Sequence, residues 1–227
     1  GFFIEQYQLN SLLYGSTECP LCLKGEIGLF HRDRLRSFFK CLNCQLVFVP
    51  PQFHISEVNE KERYDLHQNS FEDQNYRDFL GKFINHLIPH LQPGAYGLDY
   101  GSGPVPVLSM IMAERGFTVD NYDLYYSQNI SLLHRQYDFL TCTETVEHFR
   151  SPLKDWMTLT SLVKKGGWIG IMTELVSEQT EFASWHYKGD PTHLCFYSKE
   201  TLLWLANYFQ LKASFIGSSV VLLVGEE

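Results

Sequence analysis

Four cysteines constrain this chain more than any other feature. Cys19-Pro-Leu-Cys22 and Cys41-Leu-Asn-Cys44 are separated by 18 residues. That spacing suits two turns that each present two thiolates to one tetrahedral ion, with short strands between them too poor in core to fold alone. Two disulfides are the competing arrangement, but nothing in the sequence marks a secreted protein, and a reducing compartment keeps thiols free. The expectation is an N-terminal zinc ribbon over residues 1–52, with zinc held by Cys19, Cys22, Cys41 and Cys44. A set of four thiolates leaves no open coordination position, so the metal is expected to be structural. Cys142 and Cys195 sit in apolar surroundings and read as buried small hydrophobes.

The remainder has the composition of a globular chain: 227 residues, 44% hydrophobic and 19% charged. No apolar run approaches the length of a membrane span, and Gly1–Asn10 does not read as a secretory leader. A soluble, cytoplasmic protein is the expectation. Residues 1–50 carry five Lys/Arg and four Asp/Glu, a net of +1, so the rest carries 13 against 22, a net of −9. An acidic body disfavours extended contact with a phosphate backbone, leaving only the cluster His31–Arg36 as a possible nucleic-acid contact. That cluster reads more simply as a solvated hairpin tip.

Pro50-Pro51 closes the ribbon. A polar linker follows, then a helix from Ser70 whose apolar residues recur through Phe79, Phe83, Leu87 and Leu91 and which stops at Pro93-Gly94. Residues 53–93 are thus expected to be a linker and cap helix. From residue 94 the order is strand, glycine turn, helix, strand, acid, the beginning of a Rossmann-like sheet. The turn is Asp99-Tyr-Gly101-Ser-Gly103 and the acid is Asp123. Pro106 stands where a dinucleotide fingerprint needs its third glycine, and no G-K-[ST] follows, so neither a pyrophosphate site nor a P-loop is expected. An acid 22 residues after Gly101 suits instead a nucleoside with free ribose hydroxyls and no phosphate, such as S-adenosylmethionine.

These strings resemble those of class I S-adenosylmethionine-dependent methyltransferases. The resemblance rests on Leu98-Asp-Tyr-Gly-Ser-Gly-Pro, Tyr122-Asp123, Tyr137-Asp-Phe-Leu-Thr-Cys-Thr-Glu-Thr-Val-Glu147-His148-Phe and Lys164-Lys-Gly-Gly-Trp-Ile-Gly-Ile. Tyr64-Asp-Leu-His-Gln-Asn and Asp190-Pro-Thr-His193-Leu-Cys-Phe-Tyr-Ser198 are similar to strings in small bacterial members that carry an N-terminal zinc ribbon. The resemblance implies an α/β domain over residues 94–227 with a mostly parallel sheet and a terminal antiparallel strand. It also implies S-adenosylmethionine as cofactor, with Asp99, Gly101 and Gly103 lining its methionine and ribose moieties and Asp123 on the ribose hydroxyls. Two departures stand out. Val105 replaces a glycine frequent in the family, and only 14 residues separate Asp123 from Asp138, so the sheet is expected to be trimmed at its third-strand edge.

The strand Tyr137–Cys142 should deliver Thr143, Glu144, Glu147 and His148 beside the cofactor, because ligands of open α/β sheets bind beyond the carboxyl ends of strands. Further helices are expected from Ser151-Pro152 to Gly166-Gly167 and from Ser198 to about Tyr208, with strands at Trp168–Met172, Leu211–Ile216 and Val220–Val224. The segment Glu178–Tyr197, rich in aromatics, His and Asp, has the composition of an acceptor pocket. His193 is the first candidate for a general base and His148 the second, with packing roles as their alternatives. Tyr64 and His67 are expected to close the site over the cofactor. The expected function is methyl transfer to a small-molecule acceptor, without nucleic acid or membrane. An RNA methyltransferase and a non-catalytic S-adenosylmethionine-binding protein are the alternatives.

Overall fold

A computed structural model describes residues 18–66 and 70–225. In chain order the elements are β1 (Ile27–Arg32), β2 (Ser37–Cys41), β3 (Val47–Phe48), α1 (Glu57–Asp65), α2 (Gln74–Leu87), β4 (Tyr96–Tyr100), α3 (Val107–Glu114), β5 (Thr118–Tyr122), β6 (Tyr137–Thr143), α4 (Pro152–Leu162), β7 (Val163–Met172), β8 (Cys195–Phe196), α5 (Lys199–Tyr208), β9 (Leu211–Ile216) and β10 (Val220–Gly225). None of the helices described is long and apolar enough to cross a membrane.

The main sheet has six strands in the order β5-β4-β6-β7-β10-β9. Strands β5, β4, β6 and β7 run parallel, and β10 is antiparallel to both of its neighbours. Central strands are apolar on both faces because helices cover both. On β10, Val221 and Leu223 pack with Trp156, Leu159 and Leu205, whereas Val220 and Leu222 pack with Phe83, Leu87 and Met112. The expected fold class, an α/β Rossmann-like sheet with a terminal antiparallel strand, is the one observed. Its trimmed edge is β5: the stretch from Asp123 to Tyr137 forms a turn and a short 3-10 helix, Ile130–His134, and no further strand lies beyond β5 among the described residues.

The second sheet changes the picture of the N-terminal hairpins. Its order is β1-β2-β3-β8, all antiparallel, so a strand from the far end of the sequence completes the sheet begun by the cysteine-rich segment. Val47 pairs with Phe196 and Phe48 with Cys195. Behind them Phe38, Phe182, Tyr187, Leu194 and Phe196 form one buried cluster.

Three sequence expectations need correction. The polar stretch after Pro51 is not all linker, since α1 occupies part of it, capped by Ser56 Oγ, which accepts from the Asn59 N–H at 3.2 Å. Charge rather than an apolar stripe holds α1 down: Arg150 donates to Glu60 Oε2 at 2.5 Å, and Arg63 to Asp190 Oδ1 at 3.0 Å. The helix after Ser151 ends at Leu162 rather than at the Gly166-Gly167 pair, because Val163 already pairs with Tyr137 ahead of a register shift in the ladder. The His31–Arg36 cluster is not uniformly solvated. Arg36 is only 7% exposed, and its guanidinium donates to the carbonyls of Lys188, Asp190, Pro191 and His193. Cys142 and Cys195 are both buried, as expected.

Candidate functional site

Beyond the carboxyl ends of β4, β5 and β6 lies a cleft of about 810 Å³. It brings together Asp99, Gly101, Gly103, Asp123, Glu144, Tyr64, His148 and His193, the expected site residues from five separate stretches of sequence. His67 lies outside the described residues.

One end of the cleft is the glycine turn after β4. Gly101 has φ 84°, and a Cβ there would stand 2.3 Å from Thr145 Oγ1, so both its conformation and its space demand glycine. Gly103 has φ 68° with open space where a Cβ would be, and its N–H donates to Asp123 Oδ2 at 2.9 Å. Asp123 Oδ1 meanwhile accepts from the N–H groups of Tyr125 and Tyr126 at 2.8 and 3.1 Å. These three bonds fix the carboxylate across the turn and leave roughly one of its four lone-pair sites to an incoming donor. Ser102 Oγ, also on the turn, is buried and has no hydrogen-bond partner among the described residues. Asp99 is 3% exposed, accepts from Thr141 Oγ1 at 2.8 Å, and is pushed up to about 7, mainly by burial.

The other end is built from the loop after β6 and the segment before β8. Glu147 is fully buried; Tyr187 OH donates to its Oε1 at 2.6 Å and Thr173 Oγ1 to its Oε2 at 3.1 Å. Burial pushes this carboxyl up. Glu144, with φ 46°, opens into the cleft and is pushed up to about 9 by desolvation and by the nearby Glu147 and Glu174 carboxylates. His148 Nδ1–H donates to the Thr192 carbonyl at 3.0 Å and His193 Nδ1–H to the Tyr187 carbonyl at 2.7 Å. In its neutral form each ring would then present Nε2, not Nδ1, as the acceptor nitrogen. Burial, with His148 alongside, pushes His193 down to about 3, which makes it a neutral imidazole and a weak base near pH 7. Tyr64 covers this end from α1, its ring edge-on to His148 with centroids 5.2 Å apart and its OH donating to Glu60 at 2.8 Å.

Residues 72–213 match the family model described as a methyltransferase domain. The chain belongs to this methyltransferase family. Among curated proteins, the ubiquinone biosynthesis O-methyltransferase of Pseudomonas paraeruginosa is 31% identical over 93 residues, 41% of this chain and 40% of that protein. The corresponding enzyme of Shewanella pealeana is 28% identical over 98 residues, 41% and 39% of the two chains. The matched stretch of the chain spans about 40% of the length of these relatives. Two solved structures share its fold. The 1,6-didemethyltoxoflavin-N1-methyltransferase of Burkholderia thailandensis, solved with its substrate and S-adenosylhomocysteine, superposes with a TM-score of 0.54 at 10% identity, covering 88% of this chain and 99% of that one. The magnesium protoporphyrin IX methyltransferase of Synechocystis, solved with S-adenosylhomocysteine, gives 0.53 at 13% identity, covering 77% and 96%.

Away from the cleft, the chain gathers its four N-terminal cysteines. Cys19 and Cys44 Sγ are 3.5 Å apart, Cys22 and Cys41 Sγ 3.4 Å, and all four sulfurs lie within 4.8 Å of one another. The two pairs have matching local geometry. The first cysteine of each accepts a backbone N–H at 3.4 Å, from Leu21 and Cys44 respectively, and the residue after each second cysteine is left-handed, Leu23 at φ 57° and Gln45 at φ 64°.

Sequence reasoning missed the depth of Glu147 and the part played by Tyr187. A lone acid in a loop reads as solvated; its flanking Val146 and Phe149, both buried, were the available sign. Arg36 was missed because its partners are backbone carbonyls 152 to 157 residues away, which no residue pattern marks.

Proposed function

We propose that this protein transfers the methyl group of S-adenosylmethionine to a hydroxyl of a small organic molecule. The observation that carries the reading is the single cleft, with a glycine turn and an anchored carboxylate at one end and two imidazoles beside a buried carboxylate at the other. The residues fit the cofactor. Gly101 and Gly103 allow the backbone to approach it, Ser102 Oγ is a buried hydroxyl awaiting a partner, and Asp123 Oδ2 is the acceptor for a ribose hydroxyl. Asp99 lies where it can face the cationic methionine end, whose charge would favour its ionised form. Glu144 and Tyr64 line the same cleft and would border the bound donor.

When bound, the cofactor supplies an activated methyl group, and orienting the acceptor in line with the S–CH3 bond supplies much of the rate. His148 and His193 serve that end of the site. His193, held far below neutrality, is suited to offering a lone pair rather than storing a proton. Small-molecule O-methyltransferases are among the curated relatives, which supports an oxygen acceptor. Buried Arg36 removes one cation from the surface an RNA methyltransferase would use, which favours the small-molecule reading.

The four cysteines are proposed to hold one structural zinc. With Zn–S near 2.3 Å, a tetrahedron has edges of about 3.8 Å, close to the sulfur separations found here, and both N–H···S pairs are of the kind that orient thiolate ligands. Incubation with methyl-labelled S-adenosylmethionine and a panel of phenols, catechols and amines tests the function. Label recovered in a phenol or catechol supports it. Label only in amines, or in RNA added alongside, would replace the acceptor class.

A further inference from the structure

We propose that Glu147, His148 and His193 form a second metal site, distinct from the cysteine cluster, that takes one first-row divalent cation at the acceptor end of the cleft. The ligand atoms of the three residues lie within 4.8 Å of one another, with His148 Nε2 3.9 Å from Glu147 Oε1. The two imidazole rings stand 4.8 Å apart, centroid to centroid, and nearly perpendicular at 72°. Their Nδ1–H groups are both spent on backbone carbonyls, of Thr192 and Tyr187. This is the arrangement that fixes a ligating histidine in one tautomer and points its Nε2 lone pair at a metal. Glu147 is oriented in the same way, by Tyr187 OH and Thr173 Oγ1. Every first ligand therefore has its outer partner already in place.

Charge balance points the same way. Two ring nitrogens and a fully buried carboxylate converge on one spot, and among the described residues no Lys or Arg is hydrogen-bonded to any of the three side chains, Arg36 reaching only the backbone carbonyl of His193. A divalent cation satisfies all three groups at once. Two imidazoles and one carboxylate suit Mn2+, Fe2+, Co2+ or Zn2+ better than Ca2+, and three protein ligands leave open positions for other oxygens. The site lines the same cleft as the glycine turn, so those positions face the place where an acceptor would sit.

Its role, though not its binding, rests on the methyl-transfer reading. A cation there would hold an acceptor hydroxyl and lower its pKa, so that the proton leaves to water. The resulting oxygen then forms the O–CH3 bond as the S–CH3 bond breaks. The electron pair of that bond stays on sulfur and gives neutral S-adenosylhomocysteine. Vicinal or chelating oxygens, as in a catechol, would occupy two open positions and are the acceptor class the site favours.

Titration of the zinc-loaded protein with Mn2+, followed by electron paramagnetic resonance of the free ion, tests the site, because four thiolates favour zinc and disfavour Mn2+. One Mn2+ per chain is expected, with affinity reduced at least about tenfold in His148→Gln and in His193→Gln. Thermal melting without Mn2+ identifies whichever variant stays folded, and the binding comparison is made on that one. Absence of saturable Mn2+ binding, or equal affinity in a folded variant and the parent, would overturn the proposal. S-adenosylhomocysteine titrated into the same samples reads the donor end separately. Its failure to bind would refute the methyl-transfer reading without touching the cation site.

Discussion

Arg36, in the hairpin between the two cysteine pairs, donates from Nη1 to the carbonyl of His193 at 3.0 Å, 157 residues away in sequence. The same guanidinium serves the carbonyls of Lys188, Asp190 and Pro191, and Lys188 Nζ returns to Asp33 at 3.3 Å. Asp190 completes the link. Burial would raise its pKa, but hydrogen bonds from Thr192 and Arg63 outweigh that and hold it down at about 2. The cysteine-rich hairpins and α1 therefore both grip the segment that carries His193.

Replacing Arg36 with Ala should leave several buried carbonyls short of donors and cost about 2–4 kcal/mol of stability, read by chemical denaturation. Arg36→Lys should recover little, since an ammonium cannot reproduce the planar fan of guanidinium donors. In either variant that remains folded, methyl transfer should fall more than S-adenosylhomocysteine affinity, because the affected segment lines only the acceptor end.

Metal analysis should find one zinc bound by the four cysteines, and Cys41→Ser should lose it. Because β3 pairs with β8, the damage should reach the acceptor segment and lower turnover. The glycine turn, on the other sheet, should still bind cofactor. A disulfide in either pair by mass spectrometry would contradict the zinc assignment.

Asp99 gives a pH dependence with a definite sign. Its pKa is near 7 folded and about 3.9 unfolded, so between those values the folded state binds more protons and stability falls as pH rises. Asp99→Asn removes the cost of a buried charge while keeping an acceptor for Thr141. The variant should therefore gain more in melting temperature at pH 8 than at pH 5. It should also bind S-adenosylmethionine more weakly, if Asp99 faces the cationic end of the ligand. Equal gains at both pH values would show that Asp99 is not the titrating group.

What was legible in the sequence follows from what periodicity and spacing encode. The sheet strands, buried on both faces, announced themselves as apolar runs at Tyr137–Cys142 and Val220–Val224. The glycine turn and Asp123 were fixed by backbone demands that only certain residues meet. Helix α1 was invisible because its stability comes from Arg150 and Arg63 rather than from an apolar stripe. The joining of β3 to β8 was also hidden, since a two-residue strand carries no pattern. At the acceptor end the residue types were evident, but their tautomers and the burial of Glu147 depend on long-range carbonyl and hydroxyl partners.

The most direct measurement of the central claim is calorimetric titration of S-adenosylhomocysteine into the parent protein and Asp123→Ala. One site per chain is expected in the parent, and the variant should bind about 1.5–3 kcal/mol more weakly, the worth of a hydrogen bond to a charged group. No binding to the parent, or identical affinity in a folded Asp123→Ala protein, would contradict the placement of the methyl donor in this cleft.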